Sequence, residues 1–354
     1  MEKLKLNETP VRTSRNYNMN NIKLENIEIP AKIPSFNNVQ ITGNNSKVSI
    51  DSQTSKINLK YGLNKKLLEQ LDLYANQKLK LTIDNKTNKE TIINFKLDEK
   101  EPILLDNIEI NANEQTNATV IIKYETTKNV KAFHNAVIRT NAKKDANINI
   151  ILINLVNLST DNFISIQNNF EENSRINYTI VDFGGKNSIT NYYSNLVGDN
   201  SDNQMNVVYL GRENQLFDLN YIGELRGKKT NFNMEVQGAL RDTAKKHFKG
   251  TIDFKKGCKR AKGNENEVCM LLSDKAKSLA LPMLLCSEED VEGNHSTATG
   301  KIGEKELFYI MSRGIEFKEA MKLMVRARFN KILDNIKNDE IKNEILQEID
   351  SRLD

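Results

Sequence analysis

The side chains of this chain with the clearest capacity for ligand chemistry are three histidines, His134, His247 and His295, and three cysteines, Cys258, Cys269 and Cys286. His295 lies in a polar run, Glu292-Gly-Asn-His-Ser-Thr-Ala-Thr-Gly300, that reads as a loop. Imidazole is a borderline ligand suited to iron, and a histidine replacing a cysteine in a cluster shell is chemically sound. Counted alone, one histidine in such a run is ordinarily a surface or hydrogen-bonding residue. The odd number of thiols and the absence of CxxC argue against a disulfide framework and exclude a self-contained four-cysteine zinc or cluster site. Cys269 falls in an alternating stretch where a small buried hydrophobe is the ordinary use of the residue. Gly223-Glu-Leu-Arg-Gly227-Lys228-Lys229 has one residue too few between its glycines for a P-loop and no hydroxyl after the lysine, so ATP binding by this chain is not expected. No H-E-x-x-H, G-x-S-x-G or G-x-G-x-x-G pattern is present, and nothing positive supports a Ser/His/Asp triad, whose members need not be adjacent in sequence.

Composition limits the scaffold that holds these residues. At 354 residues the length fits one elongated domain or two to three smaller ones. Lys+Arg 51 against Asp+Glu 47 leaves +4, spread without a basic stripe, so nucleic acid is not an expected partner. No apolar run approaches the roughly 20 residues that span a bilayer, and MEKLKLNETPVRTS lacks the apolar core of a secretory signal. A cytoplasmic location without membrane contact is the expectation.

Proline divides the chain: Pro10, Pro30, Pro34 and Pro102 precede a proline-free stretch from Ile103 to Leu281, as sheets require when their ladders use every N–H. Short alternating or apolar runs fill that stretch, among them Thr119–Tyr124, Ile148–Asn154, Ile176–Val181, Asn206–Leu210, Phe217–Ile222, Phe232–Val236 and Gly250–Phe254, separated by Asn, Gly, Asp and Ser clusters. Nothing between them reads as a crossover helix. The body is therefore mainly β, and pattern alone leaves a sandwich and a parallel β-helix both open, because the repeat spacing looks irregular. Ahead of it lie a polar arm (1–36) and a small α+β region (37–100), in which Leu67, Leu68, Leu71 and Tyr74 fall at helix spacing. The body itself spans 101–302, and a helical subdomain follows over 303–354. There Leu307, Phe308, Ile310 and Met311 mark one helix and Gly314 suits a left-handed C-cap. Phe317, Met321, Met324, Val325, Phe329, Ile332, Leu333 and Ile336 mark a second, and Ile341, Ile345, Ile349 and Leu353 a third. Such helices have two uses, to cap the last strand edge or to dock a partner.

An ordered series of short motifs ties these parts together: Leu271-Leu272-Ser273-Asp274-Lys275-Ala276, Pro282, Asp290-Val291, His295 with Ala298 and Gly300, Leu307-Phe308-Tyr309, and Ser312-Arg313-Gly314-Ile315. In this series the chain resembles the SufB/SufD family, scaffold subunits of the SUF iron–sulfur cluster assembly machine. The resemblance fades before about residue 100. It implies a right-handed parallel β-helix, with Leu196–Asp199, Gly238–Leu240 and Gly250 on its rungs. It also implies that the terminal helices dock a SufC-like ATPase, through Leu307, Phe308, Tyr309, Arg313, Gly314, Phe317, Met321 and Met324. His295 occupies the place of a functional histidine in SufD-like chains, making it the candidate cluster or iron ligand at the partner interface. Gly293 stands there for a cysteine, and Ser296-Thr297 for a glycine. SufB-type chains place a functional cysteine where this chain has Glu267, and a Glu-His-Glu run where it has Asn294-His295-Ser296. The resemblance is thus to the SufD branch and implies a heterodimer with a SufB-like subunit. A nascent iron–sulfur cluster would be shared transiently with that partner, with none held tightly by this chain alone. The alternatives are a SufB-like homodimeric scaffold and a β-solenoid acting on carbohydrate, the latter disfavoured by an absence of Trp and 6% aromatics.

Overall fold

The computed structural model describes residues 3–13, 19–43, 48–84, 90–127 and 130–354, so that parts of the arm, residues 1–2 and 14–18, lie outside the described residues. The chain begins with β1 (Leu4–Leu6), β2 (Ile22–Leu24), β3 (Val39–Thr42), β4 (Val48–Asp51), α1 (Lys65–Tyr74), β5 (Gln77–Ile83) and β6 (Thr91–Leu97). A regular succession follows: β7 (Ile103–Ala112), β8 (Asn117–Thr126), β9 (Phe133–Ala142), β10 (Asn147–Leu155), β11 (Asp161–Phe170), β12 (Arg175–Asp182) and β13 (Asn187–Leu196). It continues through β14 (Asp202–Gly211), β15 (Leu216–Leu225), β16 (Asn231–Leu240), β17 (Lys245–Phe254), β18 (Ala261–Leu271), β19 (Lys277–Cys286) and β20 (Val291–Lys301). Helices α2 (Glu304–Ser312), α3 (Phe317–Leu333) and α4 (Asp339–Leu353) complete the chain.

Odd-numbered strands from β5 to β19 form one nine-stranded sheet with β4 at its edge, and even-numbered strands from β6 to β20 form the other with β3. β3 and β4 pair antiparallel with β6 and β5, whereas the later neighbours in both sheets are parallel. The chain alternates between sheets and returns one coil further on, a parallel β-solenoid of about 8 turns, which decides against a sandwich. Ladder hydrogen bonds run from coil to coil, so each strand needs its N–H groups, and Pro282 is accommodated on an edge strand.

The turns carry the regularity that the strand runs conceal. Gln115, Asp145, Asn173, Asn200, Lys229 and Arg260 each take a positive φ between 55° and 61° just before successive even strands. Asn and Asp tolerate that conformation best, and here they also stack: Asn173 Nδ2 donates to Asp145 Oδ1 and Asn200 Nδ2 to Asn173 Oδ1, each at 3.0 Å. Lys228, Lys229, Lys256, Lys259 and Arg260 come together as exposed cations on two consecutive turns.

Both outer faces are partly covered. On the odd sheet, α1 buries Leu67 and Leu71 in a cluster with Leu105, Phe133 and Phe163, while Tyr74, at the same helical spacing, stays exposed. Its N-cap, Asn64, accepts from the Leu67 N–H at 2.9 Å. Asn7 of the arm donates to Asp218 Oδ1 at 2.6 Å, and Lys249 donates both to that oxygen at 2.6 Å and to the Asn7 carbonyl at 2.9 Å. On the even sheet, α3 and α4 bury Phe329, Ile332, Leu333, Ile345 and Ile349 against Ile151, Ile153, Val181, Phe183, Val208 and Leu210. Phe183 and Phe329 stack with centroids 6.3 Å apart. The helices α3 and α4 therefore clad the flank of the solenoid instead of sealing its last coil, and β19 and β20 each pair on one side only. Among the described residues no helix is long and apolar enough to cross a membrane.

This packing makes the flank helices sensitive to truncation of their apolar side. Phe329→Ala or Ile349→Ala should each cost about 2–5 kcal/mol of stability, the range for large-to-small changes at buried sites, read from urea midpoints at unchanged slope. A loss below about 0.5 kcal/mol for both would show that these side chains do not hold the helices to the sheet.

Candidate functional site

The interior of the solenoid is largely Ile, Val, Leu, Phe and Tyr, but polar groups recur along one column. Strand register stacks Tyr124, Asn154, Asp182, Tyr209, Gly238, Cys269 and Thr299 in one sheet. It stacks His134, Asn162, Ser188, Phe217, Lys246 and Ser278 in the other. His134 is fully buried between Asn162 Oδ1, at 2.6 Å from Nδ1, and Asp106 Oδ1, at 2.8 Å from Nε2, which makes it a structural core histidine. Asp182 accepts from Asn154 at 2.8 Å and from Ser188 at 2.7 Å, and burial lifts its carboxyl to about 6. His247 sits on the outer face, its Nδ1 3.6 Å from Asp218 Oδ2.

One coil below the open end the column becomes charged. Lys246 Nζ lies 2.8 Å from Glu267 Oε1, both side chains fully buried, and the Tyr209 hydroxyl donates to the same oxygen at 3.0 Å. Two residues earlier on the same face, Glu265 is 2% exposed. Neither of its carboxylate oxygens, nor Glu267 Oε2, has a hydrogen-bond partner among the described residues. Burial, reinforced by the charge of Glu267, pushes the Glu265 carboxyl up to about 8. Gly250 makes the room for it, since a Cβ there would meet the Glu265 carboxyl carbon at 2.4 Å. Cys269 follows on the same face, also buried, with burial raising its thiol.

β20 lies directly over these residues, pairing His295 with Glu265, Thr297 with Glu267 and Thr299 with Cys269. A Cβ on Gly293 would meet Leu284 and Phe254 at 3.0 Å, so the face that Gly293 shares with His295 is the inner one. Across the coil, the Ser278 and Thr299 hydroxyls hydrogen-bond at 3.0 Å. Most of β20 is nevertheless exposed, because no further coil covers it. His295 thus stands at the open mouth of the solenoid. The loop expected around it is instead an edge strand, where polar residues are tolerated because one side faces solvent. Among the described residues, no three His, Cys, Asp or Glu side chains form a ready-made metal cage.

The other cysteines lie apart from this mouth. Cys258 is buried in the turn after β17, its thiol raised to about 11 by burial, and Cys286 is exposed at the end of β19 opposite Phe254. The docking candidates separate by exposure. Leu307 is buried and Met321 and Met324 are half-buried, whereas Phe308, Tyr309 and Phe317 are 75%, 60% and 49% exposed. Arg313 lies 5.2 Å from the Tyr309 ring centroid and donates to its hydroxyl at 3.1 Å, while Gly314, at φ 86°, turns the chain from α2 into α3. Leu323 and Met311 extend the exposed patch.

Comparison with known proteins adds an independent line. Residues 95–328 match a family model described as "SUF system FeS cluster assembly, SufBD core domain". The chain is 25% identical over 180 residues to the iron–sulfur cluster assembly protein SufD of Bacillus subtilis, covering 51% of this chain and 41% of that protein. It is 32% identical over 163 residues to a SufBD family protein of Pyrococcus horikoshii, covering 46% and 35%. A chloroplastic SufBD family protein of Arabidopsis thaliana is 28% identical over 169 residues, covering 46% and 30%. The matches span less than half the length of these relatives.

The buried ion pair makes a direct test of the mouth. Lys246→Met leaves Glu267 charged and without its ammonium partner and should cost about 3–5 kcal/mol. Lys246→Met combined with Glu267→Gln should recover most of that loss in the same urea titrations. A double-variant loss equal to the sum of the losses from Lys246→Met and Glu267→Gln measured singly would mean that the two charges are not coupled.

Proposed function

The chain belongs to the SUF-system family of iron–sulfur cluster assembly proteins that carry a SufBD core domain, and from that premise we propose that it is a SufD-like scaffold subunit. On this reading it pairs with a SufB-like subunit through its open last coil, and its α2–α3 surface docks a SufC-like ATPase. The carrying observation is the unfinished end of the solenoid: β19 and β20 present one unpaired edge each, and His295 opens from the inner face of β20 into that gap. An unpaired strand edge is a template for another chain.

Several features favour the SufD-like role over the SufB-like homodimer. Glu267, at the position where SufB-type chains place a functional cysteine, is locked in the ion pair with Lys246. Its neighbour Cys269 is buried with a raised thiol, the opposite of a reactive thiolate. The cluster is cargo in this scheme, built at the paired ends with thiolates from the partner and a nitrogen from His295. Nucleotide-driven closure of two ATPases then rearranges that junction. Chemical turnover belongs to the ATPases, and this chain is a non-catalytic scaffold. All three cysteines are free, in keeping with a reducing cytoplasmic setting.

Exposed Phe308, Tyr309 and Phe317, on α2 and the start of α3, offer the aromatic anchors that dominate interface energetics. Deleting the helices outright would bare the apolar flank of the even sheet, so point variants are the cleaner probe. In co-purification with SufB-like and SufC-like partners, Phe308→Ala with Phe317→Ala should weaken ATPase retention by about 2 kcal/mol, roughly thirtyfold, and leave SufB-like pairing intact. His295→Ala should leave the whole complex assembled and sharply lower cluster yield. Wild-type ATPase retention by the aromatic double variant would remove the docking assignment, and wild-type cluster yield from His295→Ala would make this chain purely architectural.

A further inference from the structure

Beneath the mouth, the Glu265 carboxyl and one oxygen of Glu267 have no account in strand packing. Glu265 is 2% exposed, and neither of its oxygens has a hydrogen-bond partner among the described residues. Glu267 has one oxygen engaged by Lys246 and Tyr209 and the other unpartnered. Burying such oxygens without partners is costly, and a fold that retains them at its one unfinished end leaves room for something that satisfies them. Lys246 pairs with Glu267, whereas the Glu265 carboxyl, lifted to about 8 by burial and by the charge of Glu267, forms no ion pair among the described residues and must give up its proton to a bound cation.

The surroundings define what would fit. His295 is the register neighbour of Glu265 on β20, one ladder spacing or about 4.8 Å away. It makes no hydrogen bond among the described residues, and no coil lies above it. Thr297 is the neighbour of Glu267 and adds a hydroxyl. The donors are oxygen and imidazole nitrogen, the set that suits first-row divalent ions such as ferrous iron. Cys269, buried and with its thiol raised, does not change that character.

We propose that Glu265, Glu267 and His295 form a divalent-cation site at the mouth of the last coil, closed when the exposed imidazole swings inward over the carboxylates. The two carboxylates supply hard oxygen ligands from within this chain, beyond the single nitrogen that the scaffold reading takes from His295. Lys246 at the base weakens the site, which suits an ion that is held and passed on. A role in handing iron to a nascent cluster rests on the scaffold reading; cation binding itself does not.

The test uses the full untagged chain, metal-free and anaerobic, with no partner present. Co(II) is titrated as the probe, followed by visible absorption and by thermal unfolding. Saturation at one Co(II) per chain is expected, with a rise in Tm as the ion binds the folded state. Glu265→Gln and His295→Ala should each weaken binding more than about tenfold, whereas His247→Ala, on the outer face, should bind as wild type. Without metal, Glu265→Gln should melt at or above the wild-type temperature, because it replaces an unpartnered buried carboxyl by a neutral amide, so lost binding would not reflect misfolding. The proposal is overturned if no saturable binding occurs or if Glu265→Gln binds Co(II) like wild type. It is equally overturned if Co(II) is not bound and Glu265→Gln instead weakens pairing with the SufB-like subunit, since the carboxylates would then await a cationic side chain. Because the titration needs no partner, Co(II) binding stands even where no scaffold complex forms.

Discussion

A parallel coil satisfies its backbone only through the coils on either side, and this dependence organises the whole molecule. At the N-terminal end, the antiparallel strands β3 and β4 terminate the two sheets. At the C-terminal end nothing does so: the chain leaves β20 for three helices, two of which pack along the flank. Stacked interiors of the kind formed by Ile, Tyr and Phe here are self-supporting from coil to coil, so the missing neighbour is felt only at the last turn. Polar residues fill the open edge strand β20, and the buried Lys246, Glu265 and Glu267 lie one turn below it.

The two ends of the polar column illustrate how the same position is used differently. Around His134 and Asp182 the buried polar groups are mutually hydrogen-bonded and act as core. Around Glu265 and Glu267 the network is incomplete. Incompleteness deep in a solenoid would be an unbalanced cost, whereas at an open end it is a feature that a partner or an ion can complete.

Much of the fold is legible in the chain itself. Alternating runs such as Ile148–Asn154 and Phe232–Val236 lie within strands, and the stretch without proline coincides with the stacked ladders. What the pattern hides is the coil repeat, because it is carried by left-handed turn residues as different as Gln115, Asp145 and Lys229, and only their backbone conformation is shared. The charged mouth is hidden for another reason. Glu265 and Glu267 stand among Lys, Gly and Asn in Lys262-Gly-Asn-Glu-Asn-Glu-Val268, yet the sheet turns both inward, and Lys246, distant in sequence, becomes their neighbour only through the coil. His295 reads as a loop residue because an edge strand with one open side can be as polar as a loop. In the terminal helices, spacing identifies the apolar stripe but cannot say which part of it the body consumes. Phe329, Ile332 and Leu333 are spent on the flank, while Phe308 and Phe317 remain free.

The central claim is that the unfinished coil is the pairing surface. Hydrogen exchange of the backbone amides in residues 277–301 probes it directly, with this chain alone and then with a SufB-like subunit. The account predicts that these edge amides exchange readily in the isolated chain and gain strong protection on pairing, with the β8–β14 core unchanged. Unchanged exchange across 277–301 in a formed complex, with protection appearing elsewhere on the solenoid, would contradict it.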